Sequence, residues 1–416
     1  MSDAPQPESG RRKRDRHFPR RRWVIPPILF RDPDAPEPFE GVSILREVPQ
    51  DLGLALYQVF RDLLLWAMVP EDRRPHLFAT DAALRRDLLI QAAAAPPHLR
   101  GDLEVLSTVL RRDWRVEPAA VTGAALRVSR WAADLKATRT ALMFAQAASA
   151  ASPQLAPASL EVGRVAADCG RFTVAETWLR RAVGLARRAQ DWESYSEALI
   201  VLSRLYSQHP SAPDAARARA TALTAARMAR RHGLRLSGAR ARLQLSVLTL
   251  AAGNASEAEE HARRAFRLYS RQHPDAPAAL HLVAESMLAQ RQRMPEAIQL
   301  LQKVLPHRRT SRERFGTLMI LIRAAARVRD RQSLESSWSD ALSLIESLGD
   351  GEDAAGYLFQ LASVAADALE HRRATEAARR ALQLATERRD SRLVSQIRAL
   401  IEQAQLRTLV PPPILD

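Results

Sequence analysis

The feature that most limits what this chain can fold into is a recurrence of small residues at long, even intervals. Aligning its apolar segments on one small position gives Ala175, Ala216, Ala258, Ala297, Ser337 and Ala377, spaced by 41, 42, 39, 40 and 40 residues. A period near forty is too long for the face of one helix or strand. It marks a supersecondary unit that buries its apolar side only against the next copy of itself.

Composition says what the unit is made of. Of the 416 residues 46% are hydrophobic but only 5% aromatic, so the core rests on Leu, Ala and Val, which favours helix over sheet. The segment "CGRFTVAETWLRRAVGLA" (169–186) shows the design of one unit. Gly170 is placed for a left-handed turn between two antiparallel helices, and Gly253 does the same in "LAAGNASEAEEHARRAF". Ala175 and Ala182 keep the second helix thin, while Phe172, Trp178 and Leu179 fill the space between that pair and the next. Upstream, Val162 and Gly163 mark where the first helix must be narrow.

Val162-Gly163, Gly170-x-Phe172, Ala175 and Ala182 resemble the tetratricopeptide repeat, and Gly253, Ala258 and Ala265 repeat the match. The resemblance covers roughly residues 157–400, with 118–150 as a degenerate extra unit, and departs in its period, near 40 rather than 34. Long-period arrays of this kind look like those of bacterial peptide-sensing regulators and of the sensor regions of some transcription activators. The resemblance implies an all-α, right-handed α-solenoid of about six antiparallel helix pairs, following a helical N-terminal region.

Four segments follow. Residues 1–40 form a basic, Pro-rich tail that is expected to be disordered, because it cannot bury enough apolar surface to offset its ordering entropy. Residues 41–150 form a helical region. Its first long helix starts near Pro49 and Asp51, buries Leu52, Leu56, Val59, Phe60, Leu63, Leu64 and Ala67, and ends at Pro70. Further helices are predicted at about 80–94, 99–112, 118–135 and 137–150, with Pro96-Pro97 as one break. Residues 151–405 form the solenoid and 406–416 a Pro-rich C-terminal tail.

The net charge of +15 raises the question of nucleic acid. Eight basic residues and one Asp lie within "RRKRDRHFPRRR" (11–22): Arg11, Arg12, Lys13, Arg14, Arg16, Arg20, Arg21 and Arg22. This stretch is either an arm for phosphate backbones, with Phe18 and Trp23 available to stack on bases, or a solvated tail with weak, nonspecific affinity for polyanions. No base-reading module follows it. Lysine occurs only at Lys13, Lys136 and Lys303, so the body's charge is nearly all arginine.

No apolar stretch is long enough to span a membrane, and "WVIPPILF" (23–30) lacks the length and cleavage site of a signal peptide. The expectation is a cytoplasmic protein without membrane contact. Cys169, the only cysteine, allows no internal disulfide and no Cys-based zinc site within one chain. Gly-rich phosphate loops, His-Glu-x-x-His and nucleophile elbows are missing, so no cofactor, metal or catalytic residue is expected, and the chain reads as non-enzymatic. His281 and Glu285, four apart, supply two metal ligands at most and read as a helix-surface pair.

"QHPSAP" (208–213) and "QHPDAP" (272–277) look alike, but the first falls within a unit and the second between units. "VIPPIL" (24–29) and "VPPPIL" (410–415) bracket the folded body, either as apolar clips or by coincidence of Pro-rich tails.

By family register, one face of each first helix lines a concave groove that takes a peptide or protein. This brings Arg164, Arg204, Gln208, Arg240, Gln244 and Arg323 towards the groove, where guanidinium forks suit carboxylates. The Lys and Asn pattern of chaperone-binding carboxylate clamps is missing, so that specificity is not expected. Two functions stand open: a protein- or peptide-binding scaffold, and a regulator contacting DNA or RNA through the basic tail. Oligomeric state is not legible.

Overall fold

In a computed structural model the described residues are 41–48, 50–111, 116–209, 214–270, 272–291, 293–348 and 354–409. The expectations for both tails, the basic arm included, therefore lie outside the described residues. All regular structure among the described residues is helical. The chain divides into two compact units, Met1–Pro153 and Gln154–Asp416.

The first unit contains α1 (Val42–Glu47), α2 (Gln50–Met68), α3 (Ala82–Ala92), α4 (Pro97–Ser107), α5 (Pro118–Asp134) and α6 (Thr138–Ala151), with 3-10 turns at Glu71–His76 and Thr108–Leu110. Pro97 and Pro118 occupy the first turns of α4 and α5, where a missing N–H costs nothing. The core forms around α2, whose Leu56, Phe60 and Leu63 are fully buried, and Phe60 meets Phe144 of α6 edge-on at 5.9 Å. Glu47 at the end of α1 caps α6 from a distance. Its carboxylate accepts the backbone N–H of Arg139 at 3.0 Å and of Thr140 at 2.7 Å, and the Thr140 hydroxyl at 2.8 Å. An anion on those unpaired N–H groups also complements the helix dipole.

The second unit is a run of helix pairs. In order these are α7 (Ala156–Asp168) with α8 (Phe172–Ala189), α9 (Trp192–Gln208) with α10 (Ala215–Arg231), and α11 (Arg235–Ala251) with α12 (Ala255–Leu268). They continue with α13 (Ala276–Ala289) and α14 (Met294–Val304), α15 (Ser311–Val328) and α16 (Arg331–Ser347), and α17 (Ala354–Asp367) and α18 (His371–Glu387), closed by α19 (Ser391–Leu409). Each helix packs on the next, and first helices also touch the first helix of the following pair. An apolar cluster runs without a break from Ala262 of α12 to Ile397 of α19.

The turns explain the repeat. Between α7 and α8 the N–H of Arg171 donates to the Ala166 carbonyl, after Gly170 takes φ +74°. The same 2.9 Å bond recurs at Asn254→Thr249, Asp330→Ala325 and Glu370→Ala365, and in the first unit at Ala137→Ala132. Glycine supplies the left-handed residue at Gly170 and Gly253, but Lys136, Arg329 and Leu369 do so elsewhere at φ near +60°. At those three positions the fold accepts a strained side chain, worth about 1 kcal/mol each, to complete the same helix stop.

These turns correct the repeat register. The residue four beyond each turn donates back to it and is buried at Ala141, Ala175, Ala218, Ala258, Ala297, Leu334 and Ala374. Ala216 is exposed, and Ala218 takes its place because the α9–α10 connection is longer. Ser337 and Ala377 are buried but lie three residues late, the spacing of the same helix face one turn on. The true intervals scatter from 34 to 43 residues, read from the positions just named.

Candidate partner-binding surface

First helices meet second helices through small groups. Gly163 of α7 sits so close to α8 that a Cβ there would lie 2.5 Å from Leu179 Cγ. Where other pairs carry serine, the hydroxyl bridges the helices. Ser129 Oγ donates to the Ala141 carbonyl, Ser203 Oγ to Ala218 and Ser246 Oγ to Ala258, each at 2.8 Å and fully buried. The residue after each facing position turns outward: Arg164, Arg204 and Val247 follow Gly163, Ser203 and Ser246, and Arg323 follows the matching Ile322.

The family register brings four arginines, Arg164, Arg204, Arg240 and Arg323, towards one face, and three of them carry ion pairs. Arg164 grips Glu161 at 2.6 Å and approaches Asp168 at 3.5 Å. Arg240 lies 3.2 Å from Glu197 of α9 and 3.6 Å from Asp275 before α13, with Ser237 also donating to Glu197. Arg323 reaches Asp367 of α17 at 3.7 Å. The contacts of Arg240 and Arg323 tie one first helix to the next, so these arginines serve the stack as well as the surface. Arg204 differs: it is exposed and forms no ion pair among the described residues. Gln208 is exposed one turn further along α9, and Gln244 is half-buried on α11.

Second helices carry their own ladder. Glu176 of α8 meets Arg217 of α10 at 3.3 Å and accepts from Tyr206, whose ring lies under the Arg217 guanidinium at 4.1 Å. Arg219 of α10 meets Glu257 of α12 at 2.7 Å, and Arg293 at the start of α14 lies 3.8 Å from Glu259 of α12.

His281 and Glu285 are 3.9 Å apart, but His281 is not a surface group. It is mostly buried beside Thr317 of α15, and burial, reinforced by Arg308, pushes its pKa down to about 4. Among the described residues no three His, Cys, Asp or Glu side chains converge as a metal site. Cys169 is half-buried at the end of α7. No described helix is long and apolar enough to cross a membrane.

Sequence reading missed a pocket of about 500 Å3 lined by α12, α13 and α14. Phe266, Leu280, Val283, Met287 and Leu300 give it apolar walls, and Arg263, Arg267, Arg293 and Lys303 line it together with one carboxylate, Glu296, and Gln299. No local pattern signals it, because its lining comes from three helices that only folding brings together.

No protein-family model and no curated protein matches the sequence. Solved structures do match. A signal-transduction ATPase from Pyrococcus horikoshii that carries a tetratricopeptide repeat sensor agrees at TM-score 0.51 and 12% identity, over 79% of this chain and 56% of that one. The fold is of the tetratricopeptide-repeat type. A tetratricopeptide protein of Thermus thermophilus shares 23% identity over 45% of this chain and 91% of its own, at TM-score 0.35. A Rap protein complexed with competence and sporulation factor matches over 83% of this chain and 99% of its own, at 11% identity and TM-score 0.46. A tetratricopeptide array explains the Gly163–Leu179 contact and the serine bridges as one device, the small crossing point of an antiparallel pair.

Proposed function

We propose that the chain is a non-enzymatic scaffold that binds a protein or peptide segment along the outward face of its first helices, centred on α9. The observation that carries this reading is Arg204. It projects from the row that includes Arg164, Val247 and Arg323, yet has no carboxylate partner among the described residues, while Arg164 and Arg323 are neutralised. An exposed guanidinium beside exposed Gln208 offers a planar donor fork to a carboxylate or backbone carbonyl.

The test is retention of host proteins by the full chain after nuclease treatment, compared with the Arg204→Glu variant. A stoichiometric protein held by the wild type and lost by the variant supports the reading; retention unchanged by the substitution overturns it. A second reading rests on the cluster Arg11–Arg22, whose charge favours polyanions. Partners that vanish with nuclease, and not with Arg204→Glu, assign the activity to that arm.

A further inference from the structure

We infer that the pocket lined by α12, α13 and α14 binds a free small amphiphile, an apolar chain ending in a single anionic group such as a carboxylate. The site is separate from Arg204, and the inference does not depend on the scaffold reading.

Three observations lead there. The first is size and lining: about 500 Å3 walled by Phe266, Leu280, Val283, Met287 and Leu300, which lies in the range of small-ligand sites. The second is the charge around it. Arg263 is satisfied by Glu259 at 2.7 Å, and Arg293 by Glu296 at 2.7 Å. Arg267 and Lys303 are exposed at the same pocket with no ion pair among the described residues. Two uncompensated cations beside an apolar hollow complement one anionic head on an apolar body.

The third is what the walls withhold. All three lining elements are helices, and their interior N–H and C=O groups are spent on their own ladders. The helix-interior walls, Leu280, Val283, Met287 and Leu300, therefore offer a ligand side chains only, and an acyl chain asks for no more. Its single charge is met by Arg267 and Lys303 from α12 and α14. Such a ligand would bridge two successive second helices, which meet here through the long 3.8 Å contact of Arg293 with Glu259.

The experiment is calorimetric titration of the full chain with the straight-chain carboxylates from hexanoate to tetradecanoate, each kept monomeric. Decanol and decyltrimethylammonium serve as uncharged and cationic controls. We expect one saturable site for at least one carboxylate, with both controls weaker by about tenfold or more. Arg267→Glu with Lys303→Glu, at exposed positions that leave the core untouched, should abolish binding, and Leu300→Gln should weaken it while the charges stay. Arg204→Glu should leave it unchanged. The absence of saturable binding across the series overturns the inference, as does equal affinity for decanol or unchanged binding by the charge-reversed double variant. Loss of partner capture by Arg204→Glu with no carboxylate binding sinks this inference alone.

Discussion

Gly163 of α7 lies directly against Leu179 of α8: a methyl group on Gly163 would meet Leu179 Cγ at 2.5 Å, Cδ2 at 2.7 Å and the backbone nitrogen at 3.1 Å. Leu179 is fully buried and has nowhere to retreat. Gly163→Ala should therefore lower stability by about 1–3 kcal/mol, against the usual preference of helices for alanine. Gly238 of α11 has ordinary room: a methyl group there would find its nearest neighbour, the Ala229 side chain, at 3.6 Å. Gly238→Ala should raise stability by about 0.5–1 kcal/mol. Denaturant melts of the two variants, moving in opposite directions, check the register.

Ser246→Ala removes the bridge to the Ala258 carbonyl, which is fully buried. The expected cost is about 0.5–1.5 kcal/mol. Ala258→Phe, at the other side of the same crossing, should cost about 1–3 kcal/mol or more by overpacking. Because the two positions touch, their effects should not add in the double variant. Thermal unfolding of the four proteins measures the coupling.

Glu47→Gln should destabilise the first unit by about 1–2 kcal/mol, because a neutral amide caps the α6 N–H groups more weakly than a carboxylate. Hydrogen exchange at Arg139 and Thr140 should rise, while amides of α15 to α19 keep their protection.

His281 makes stability depend on pH in a stated direction. Burial holds its folded-state pKa at about 4, below the unfolded value of 6.5. Above pH 6.5 both states are neutral there. As pH falls from 6.5 towards 4, the unfolded chain gains a proton that the folded chain refuses, and stability drops by at most about 3 kcal/mol. The groups facing it are Thr317 at 3.3 Å, Glu285 at 3.9 Å, and Arg308 and Glu313, whose charges act in opposite directions. Glu285 is itself pushed upward by burial and adds acid stability of the opposite sign. His281→Asn should flatten the loss between pH 6.5 and 4 relative to wild type, as read by urea midpoints.

Helix content, pairing and turn glycines were legible because they depend on local chemistry: small residues at 3.6-residue spacing, and Gly170 and Gly253 where φ is positive. The register failed at Ala216, Ser337 and Ala377 because an alanine-rich helix offers a small residue at almost every turn. Only the turn bond, from Asp330 to Ala325 for example, says which one faces its partner. Arg329 and Leu369 hid their turns by lacking the glycine signal, whereas the break at Lys136 lies where the helices predicted at 118–135 and 137–150 meet. The surface was least legible. Glu161 lies one turn before Arg164 and is a local partner, but only folding brings Glu197 and Asp275 against Arg240 and Asp367 against Arg323, and leaves Arg204 without a carboxylate among the described residues. The pocket around Arg267 and Lys303 joins residues from three helices and leaves no local trace.

The most direct test of the scaffold account is photo-crosslinking from the full chain in its host, with benzoylphenylalanine placed at Arg204, at Gln208 and, as a control, at exposed Arg227 on α10. The account predicts one discrete protein adduct from positions 204 and 208 and none from 227. Equal adducts from all three positions, or adducts from 227 alone, would contradict it.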